Sequence, residues 1–151
     1  MVTLHLTRFV SLNGGITQVT NSFYRGTQPR IYVDSAPHTV ASGGLTLSSW
    51  NGLYTSLRYR HIGNYRLDGE DAAIRASGLD VVDLAITKTI RRWIDLNFDI
   101  DNIADKHYYE TQNFFESRGG PAFEAKERIH GTPGYPIGIT LGLTFHLAGK
   151  R

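Results

Sequence analysis

The chain of 151 residues contains no cysteine, which excludes disulfide staples and thiolate metal sites, although it does not choose a compartment. It lacks any apolar run near the roughly 20 residues that cross a bilayer as a helix, so a helical membrane protein is excluded. A transmembrane β-barrel is not excluded, because its strands show only alternation. A basic stripe is missing too: 16 basic and 14 acidic residues are scattered along the chain for a formal charge of +2, which gives nucleic-acid binding no support. The opening Met1-Val2-Thr3-Leu4-His5-Leu6-Thr7-Arg8 has no basic leader followed by an apolar core, and it is not read as a secretory signal peptide. The length is that of one domain.

What is present is alternation. Ile137-Gly138-Ile139-Thr140-Leu141-Gly142-Leu143-Thr144-Phe145-His146-Leu147 places large apolar residues at every second position, and Ile94-Asp95-Leu96-Asn97-Phe98-Asp99-Ile100-Asp101 does the same with acids and amides between. Period two is the signature of a strand with one apolar and one polar face and does not fit an amphipathic helix. Sixteen glycines, eight Tyr, seven Phe and two Trp suit a β-rich protein.

Breakers divide the chain into about seven strands, expected near 2–9, 16–24, 39–49, 53–62, 79–90, 93–111 and 136–147. Short turns are expected at Asn13-Gly14-Gly15, at Trp50-Asn51-Gly52 and at Arg91-Arg92, and long polar segments at 25–38, 63–78 and 112–135. Short and long connections alternate, the plan of an antiparallel meander in an outer-membrane barrel. Asn51-Gly52 has the chemistry of a primed two-residue turn. In the strand from Leu53, Leu53, Thr55, Leu57 and Tyr59 share one face and Tyr54, Ser56, Arg58 and Arg60 the other. Farther on, Val82, Leu84 and Ile86 oppose Asp83, Ala85, Thr87 and Thr89. Alternation alone fits a soluble antiparallel barrel or sandwich that turns this face inward around a small apolar ligand as well as a membrane barrel that turns it to lipid. The loop rhythm, the charged polar faces and the aromatics Trp50, Tyr59, Trp93, Tyr108 and Tyr109 near strand ends favour lipid. The lipid-facing set is then Leu57, Leu84, Ile86, Leu96, Phe98, Ile139, Leu141 and Leu143.

Four segments in order resemble the C-terminal part of TonB-dependent outer-membrane receptors. Asp99-Ile100-Asp101-Asn102-Ile103-Ala104-Asp105-Lys106-His107-Tyr108-Tyr109 is similar to the family's "v-x-N-L-F-D-K-x-Y" signature, with Ile103-Ala104 in place of Leu-Phe. Leu57 to Tyr65 resembles the strand that ends in "Y-x-G". Gly78-Leu79-Asp80-Val81-Val82-Asp83-Leu84 resembles "g-Y-x-v-x-D-L", with Leu79 where Tyr is usual, and Thr132-Pro133-Gly134-Tyr135-Pro136 introduces the last strand as "P-G-x-P/R" does. The resemblance covers about residues 37–147. It implies an all-β, up-and-down meander of about seven strands that forms the C-terminal segment of a transmembrane barrel. It also implies active uptake of a scarce nutrient, a ferric siderophore foremost, with haem, cobalamin or a saccharide left open. Phe145 takes the place of the aromatic read by the barrel-assembly machinery, although the chain runs on through His146 and Leu147 to Lys150 and Arg151. The family's barrel has roughly 22 strands around a plug. Residues 1–151 are therefore expected to be a partial barrel without the plug. Its partners would be outer-membrane lipid, the remaining barrel and plug, and TonB through an N-terminal part.

No cofactor, no metal and no enzymatic activity are expected. Asp95, Asp99, Asp101 and Asp105 lack the glycine and glutamate spacing of an EF-hand and are read as solvated lumen carboxylates. His5, His38, His61, His107, His130 and His146 show no shared spacing on one strand face, and no G-x-S-x-G motif is present. The loop candidates for an anionic, aromatic ligand are Tyr24, Arg25 and Arg30 in one segment and Phe114, Phe115 and Arg118 in another, where rings and guanidinium groups offer stacking and bidentate hydrogen bonds. A porin-like wall with no specific ligand is a third reading.

Overall fold

The computed structural model describes residues 2–20 and 22–147. Met1, Asn21 and the expected extension through Lys150 to Arg151 lie outside them. All regular structure among the described residues is β: β1 (Val2–His5), β2 (Val10–Gln18), β3 (Thr39–Trp50), β4 (Leu53–Ile62), β5 (Tyr65–Arg66), β6 (Arg75–Ala76), β7 (Leu79–Arg91), β8 (Ile94–Asp101), β9 (Tyr109–Ser117), β10 (Lys126–Pro133) and β11 (Gly138–Phe145). Seven of these form one antiparallel meander in the order β1-β2-β3-β4-β7-β8-β11. β5 with β6 and β9 with β10 are two-stranded hairpins at the long-connection end. The sheet is open, with β1 and β11 as its edges.

The pairing keeps like residues on one face. Leu12 faces Leu45, Leu45 faces Leu57, Leu57 faces Leu84 and Leu84 faces Ile100. Phe98 faces both Ile86 and Leu141, and Leu96 faces Leu143. On the opposite face Arg58 pairs with Asp83 and Asn97 with Thr87. Every residue of the expected lipid-facing set therefore lies on the single apolar face. No element among the described residues covers that face: Leu141 is 70%, Ile139 66% and Leu143 57% exposed. The small buried core, Leu67, Ala76, Leu79 and Val81, gathers where residues 63–78 fold over the start of β7.

Five expectations need correction. Asn13-Gly14-Gly15 is not a turn but the middle of β2, with Gly14 opposite Gly43 and Asn13 opposite Gly44. The chain turns earlier, where the Thr7 hydroxyl accepts hydrogen bonds from the backbone N–H groups of Phe9 and Val10, so the second strand covers Val10–Gln18 rather than 16–24. The long strand expected over 93–111 is interrupted after Asp101. Segment 112–135 is mostly the β9/β10 hairpin, which prolongs the wall beyond its rim. The turn after β7 is Arg92-Trp93, one residue later than expected. The alternation of short and long connections survives each correction.

The Asn51-Gly52 turn is as expected, with φ of 50° and 70°. It is preceded by a bulge in which Ser48 and Ser49 oppose one residue of β4, which turns Trp50 onto the apolar face opposite Leu53. Gly78 answers a different constraint. A Cβ there would run into the backbone of Ile62, Gly63 and Asn64, because the two ends of the 63–78 loop are drawn together by the Gly78 N–H donating to Asn64 Oδ1 at 2.6 Å. Gly78→Ala is expected to lower stability by about 1–3 kcal/mol through overpacking. Gly119→Ala, with open space at its Cβ, should stay within about 0.5 kcal/mol. Urea midpoints of the two variants refolded in detergent check the difference.

Candidate functional site at the long-loop end of the sheet

Asp83 organises the polar face. It is 9% exposed, and a carboxylate this buried must have both oxygens occupied. Oδ2 accepts from Arg58 Nη2 at 3.1 Å and lies 3.5 Å from Arg60 Nε, and Oδ1 accepts from the Asn102 backbone N–H at 3.1 Å. Toward the short-turn end the polar face continues as Thr87 Oγ1 donating to Asn97 Oδ1 and Asn97 Nδ2 donating to Thr144 Oγ1.

Asn102 closes the rim above Asp83. It is 1% exposed with φ of 49°, a left-handed conformation that Asn tolerates better than most residues. Its Nδ2 donates to the carbonyls of Lys106 and Tyr135, and its Oδ1 accepts from the Lys106 N–H. Asp105, also at positive φ, accepts the Ile137 N–H and fixes the entry to β11. The Tyr108 ring lies against Gly134. Burial and a hydrogen bond to Glu110 hold the Tyr108 phenol above the ordinary tyrosine pKa. The acid, amide and proline residues of segments 101–109 and 132–136 thus form one knot, and its work is to set the geometry of the rim.

Beyond the rim the long connections are tied in series. The Tyr32 and Ser35 N–H groups donate to the Gly69 and Arg66 carbonyls, and the Arg66 guanidinium lies 4.3 Å from the centroid of the Tyr32 ring. Gln112 then clamps Ser77, accepting from its hydroxyl and N–H and donating to its carbonyl. Within residues 63–78, Asp68 Oδ1 accepts the N–H groups of Glu70 and Asp71, which lowers its pKa below the usual carboxylate value.

The ligand candidates separate into two groups. Arg30 lies over the Phe23 ring, 4.6 Å from its centroid, so its cation is engaged within its own loop. The Tyr24 N–H donates to the Ile31 carbonyl, while its ring is exposed beside Arg25. Phe114 and Phe115 occupy opposite faces of β9. Phe115 stacks on His130 at 4.0 Å, and Arg118 is exposed at the hairpin tip. Among the described residues no hydrogen bond, ion pair or ring stack joins Tyr24, Arg25 and Arg30 to Phe114, Phe115 and Arg118. Both groups lie at the same end of the sheet, linked through residues 63–78. Among the described residues no three His, Asp or Glu side chains converge to hold a metal ion. Asp95 pairs with His146 and Asp80 with His61. Sequence reading missed the Asp83 and Gln112 clamps, because each joins segments 19 or more residues apart. The signal that could have found the first is the arginine pair on one strand facing a lone acid on the next.

No family model matches the chain, and no curated protein matches it. Solved structures do. The siderophore receptor PiuA from Acinetobacter baumannii superposes with a TM-score of 0.68 at 14% identity, covering 95% of this chain and 20% of that one. The ferric enterobactin receptor PfeA from Pseudomonas aeruginosa gives 0.67 at 15% identity, covering 95% and 21%. The ferric-catecholate import receptor Fiu from E. coli K12 gives 0.65 at 18% identity, covering 94% and 19%. The fold is that of a barrel-wall segment. The chain spans about a fifth of the length of the receptors it matches.

Two outcomes follow for this wall segment. Asn102→Ala removes three side-chain hydrogen bonds and adds strain at positive φ. It should cost about 2–4 kcal/mol and release the amides of residues 102–108 to hydrogen exchange, whereas Asn102→Gly relieves the strain and should recover part of the loss. Because the Asp68 pKa is lowered on folding, its contribution is present above the unfolded-state value and is lost as pH falls through the folded value. The amide shifts of Glu70 and Asp71 should therefore titrate below the ordinary aspartate range and stop titrating in Asp68→Asn.

Proposed function

We propose that the chain is the C-terminal barrel segment of a TonB-dependent outer-membrane receptor that takes up a scarce nutrient, a ferric siderophore foremost. The observation that carries this reading is the distribution of polarity over the sheet. A continuous apolar face runs from Leu4 to Leu141 with no described residue packed over it, while the opposite face holds the paired charges Arg58, Arg60 and Asp83. A soluble barrel or sandwich buries its apolar face against a second layer. A membrane barrel turns that face to lipid and keeps a polar lumen.

The ends of the sheet support the same orientation. At the short-turn end Trp50 and Trp93 are about half exposed, Trp93 stacks on Phe145, and Lys88 reaches from the apolar face to donate to the Asn51 carbonyl at 2.6 Å, as a snorkelling lysine does. At the other end of the same face stand Tyr59, His61 and Asp80. The eight residue steps from Asp80 to Lys88 span about 26 Å along the strand, or about 20 Å at a tilt of roughly 40°. That height suits an apolar belt with a polar row on either side. The three receptors of similar fold are named for a siderophore, a ferric catecholate and ferric enterobactin, and the chain would contribute wall and loops to such a protein. Gating would belong to a plug within the barrel, energy coupling to TonB acting through an N-terminal part, and insertion to the assembly machinery that reads Phe145. The loop residues Tyr24, Arg25, Arg30, Phe114, Phe115 and Arg118 would face the incoming ligand.

Leu84 and Ala85 are neighbours on opposite faces, which makes them a matched test. In lipid vesicles Leu84→Arg should destabilise the folded state by about 2–4 kcal/mol and Ala85→Arg by well under half of that. Equal costs would contradict the orientation. For the ligand, Arg118→Ala and Arg25→Ala in the receptor that contains this segment should weaken fluorescence-detected binding of a ferric catecholate. Unchanged binding in both would remove them from the site.

A further inference from the structure

The sequence holds two Asn-Gly pairs, Asn13-Gly14 and Asn51-Gly52, and the fold treats them differently. Asn13 and Gly14 sit in mid-strand. Gly14 is paired with Val2 on one side and Gly43 on the other. The Asn13 amide fills the space that a Cβ on Gly44 would need, with Oδ1 2.8 Å from that position. In a strand the peptide N–H lies in the plane of the ladder while the side chain stands away from it, so the Gly14 nitrogen is kept from the Asn13 side-chain carbonyl.

Asn51-Gly52 has neither restraint. Asn51 is exposed, both residues have positive φ, and the Gly52 N–H donates to no backbone carbonyl among the described residues. The two carbonyls of the turn are instead held from β7: the Thr89 N–H donates to the Gly52 oxygen at 2.8 Å, and Lys88 Nζ donates to the Asn51 oxygen at 2.6 Å. That Asn51 oxygen belongs to the same peptide group as the Gly52 nitrogen. When the nitrogen loses its proton, amide resonance places the negative charge on the oxygen, where the ammonium of Lys88 stabilises it. Glycine also brings no side chain to crowd the nitrogen.

We propose that Asn51 is a site of self-deamidation promoted by Lys88. The Gly52 N–H gives its proton to hydroxide, and the nitrogen electron pair attacks Asn51 Cγ. The Cγ–Nδ2 bond breaks, Nδ2 takes a proton from water and leaves as ammonia, and a cyclic imide remains. Water then adds to either imide carbonyl, and the ring opens to aspartate or to isoaspartate, whose backbone runs through the former side chain. Nothing is oxidised or reduced; the net change is hydrolysis of one amide by one water. Lys88 gives up no proton and only holds the charge on the oxygen. Isoaspartate adds a backbone carbon to the turn between β3 and β4, and aspartate sets a carboxylate beside Lys88.

The test folds the whole chain in detergent, incubates it at neutral pH and maps its peptides by mass spectrometry, which separates conversion at position 51 from conversion at 13. Position 51 should run well ahead. Lys88→Met should slow it by about tenfold or more, the contribution of one hydrogen bond to a charged group, whereas Lys88→Arg, which keeps a cation on the carbonyl, should retain most of the rate. In urea, which frees the turn from β7, the two positions of the wild type should react at one rate, a comparison that needs no variant to fold. Conversion in folded Lys88→Met as fast as in wild type, or faster, would show that Lys88 only restrains the turn and would overturn the proposal. Equal conversion at 13 and 51 in the folded chain, or a lead of 51 that persists in urea, would overturn it as well.

Discussion

A one-residue slip of β4 against β7 would put Arg58 and Arg60 on the same face as Leu84 and Ile86, because side chains alternate with a period of two. Correct register in each of the six pairings is the condition for one continuous apolar surface and one continuous polar one. Local chemistry fixes it at both ends. At the short-turn end it is set by the Asn51-Gly52 turn with its preceding bulge and by the Arg92-Trp93 turn. At the other end Asp83 binds Arg58 across the β4/β7 pair and the Asn102 N–H at the end of β8, so a slipped strand would leave a buried carboxylate without partners. Such a loss costs far more than an exposed ion pair contributes.

The same knot connects wall to loops. Asn102 draws the β8 end, the Lys106 turn and the approach to β11 together. Gln112 binds the hairpin beyond them to Ser77, and residues 63–78 in turn hold the 22–35 loop by backbone hydrogen bonds. A displacement at the β9/β10 tip therefore has a continuous physical route to Asp83 and the polar face.

The strand content and face assignment were legible because they depend only on alternation: Leu57, Leu84, Phe98 and Leu141 fell on one face as expected. The seven-stranded meander and the rhythm of its connections were legible for the same reason. Asn13-Gly14-Gly15 misled because its residues have turn chemistry, yet the alternation of Val10, Leu12 and Ile16 runs through them and the glycines pair with Gly43 and Ser42 across the ladder. The β9/β10 hairpin was read as loop because both of its faces are largely exposed, so the period-two signal weakens. The signature around Asn102 was visible as a motif. Its function as a clamp was not, since that requires Tyr135 and Asp83, which only the fold brings within reach. For the ligand residues the sequence offered composition alone, and the fold shows Arg30 occupied by Phe23 while Arg25 and Arg118 are exposed.

The central claim is that the two faces of this sheet meet different solvents. The absence of cysteine allows single-cysteine variants without altering the background. The most direct measurement is nitroxide accessibility at six successive positions of β7, from Val82→Cys to Thr87→Cys, in bilayers, with oxygen as the apolar probe and a nickel chelate as the polar one. Oxygen accessibility should peak at 82, 84 and 86 and nickel accessibility at 83, 85 and 87, out of phase with period two. Oxygen and nickel profiles that rise and fall together would contradict the claim and return the chain to a soluble layer awaiting its cover.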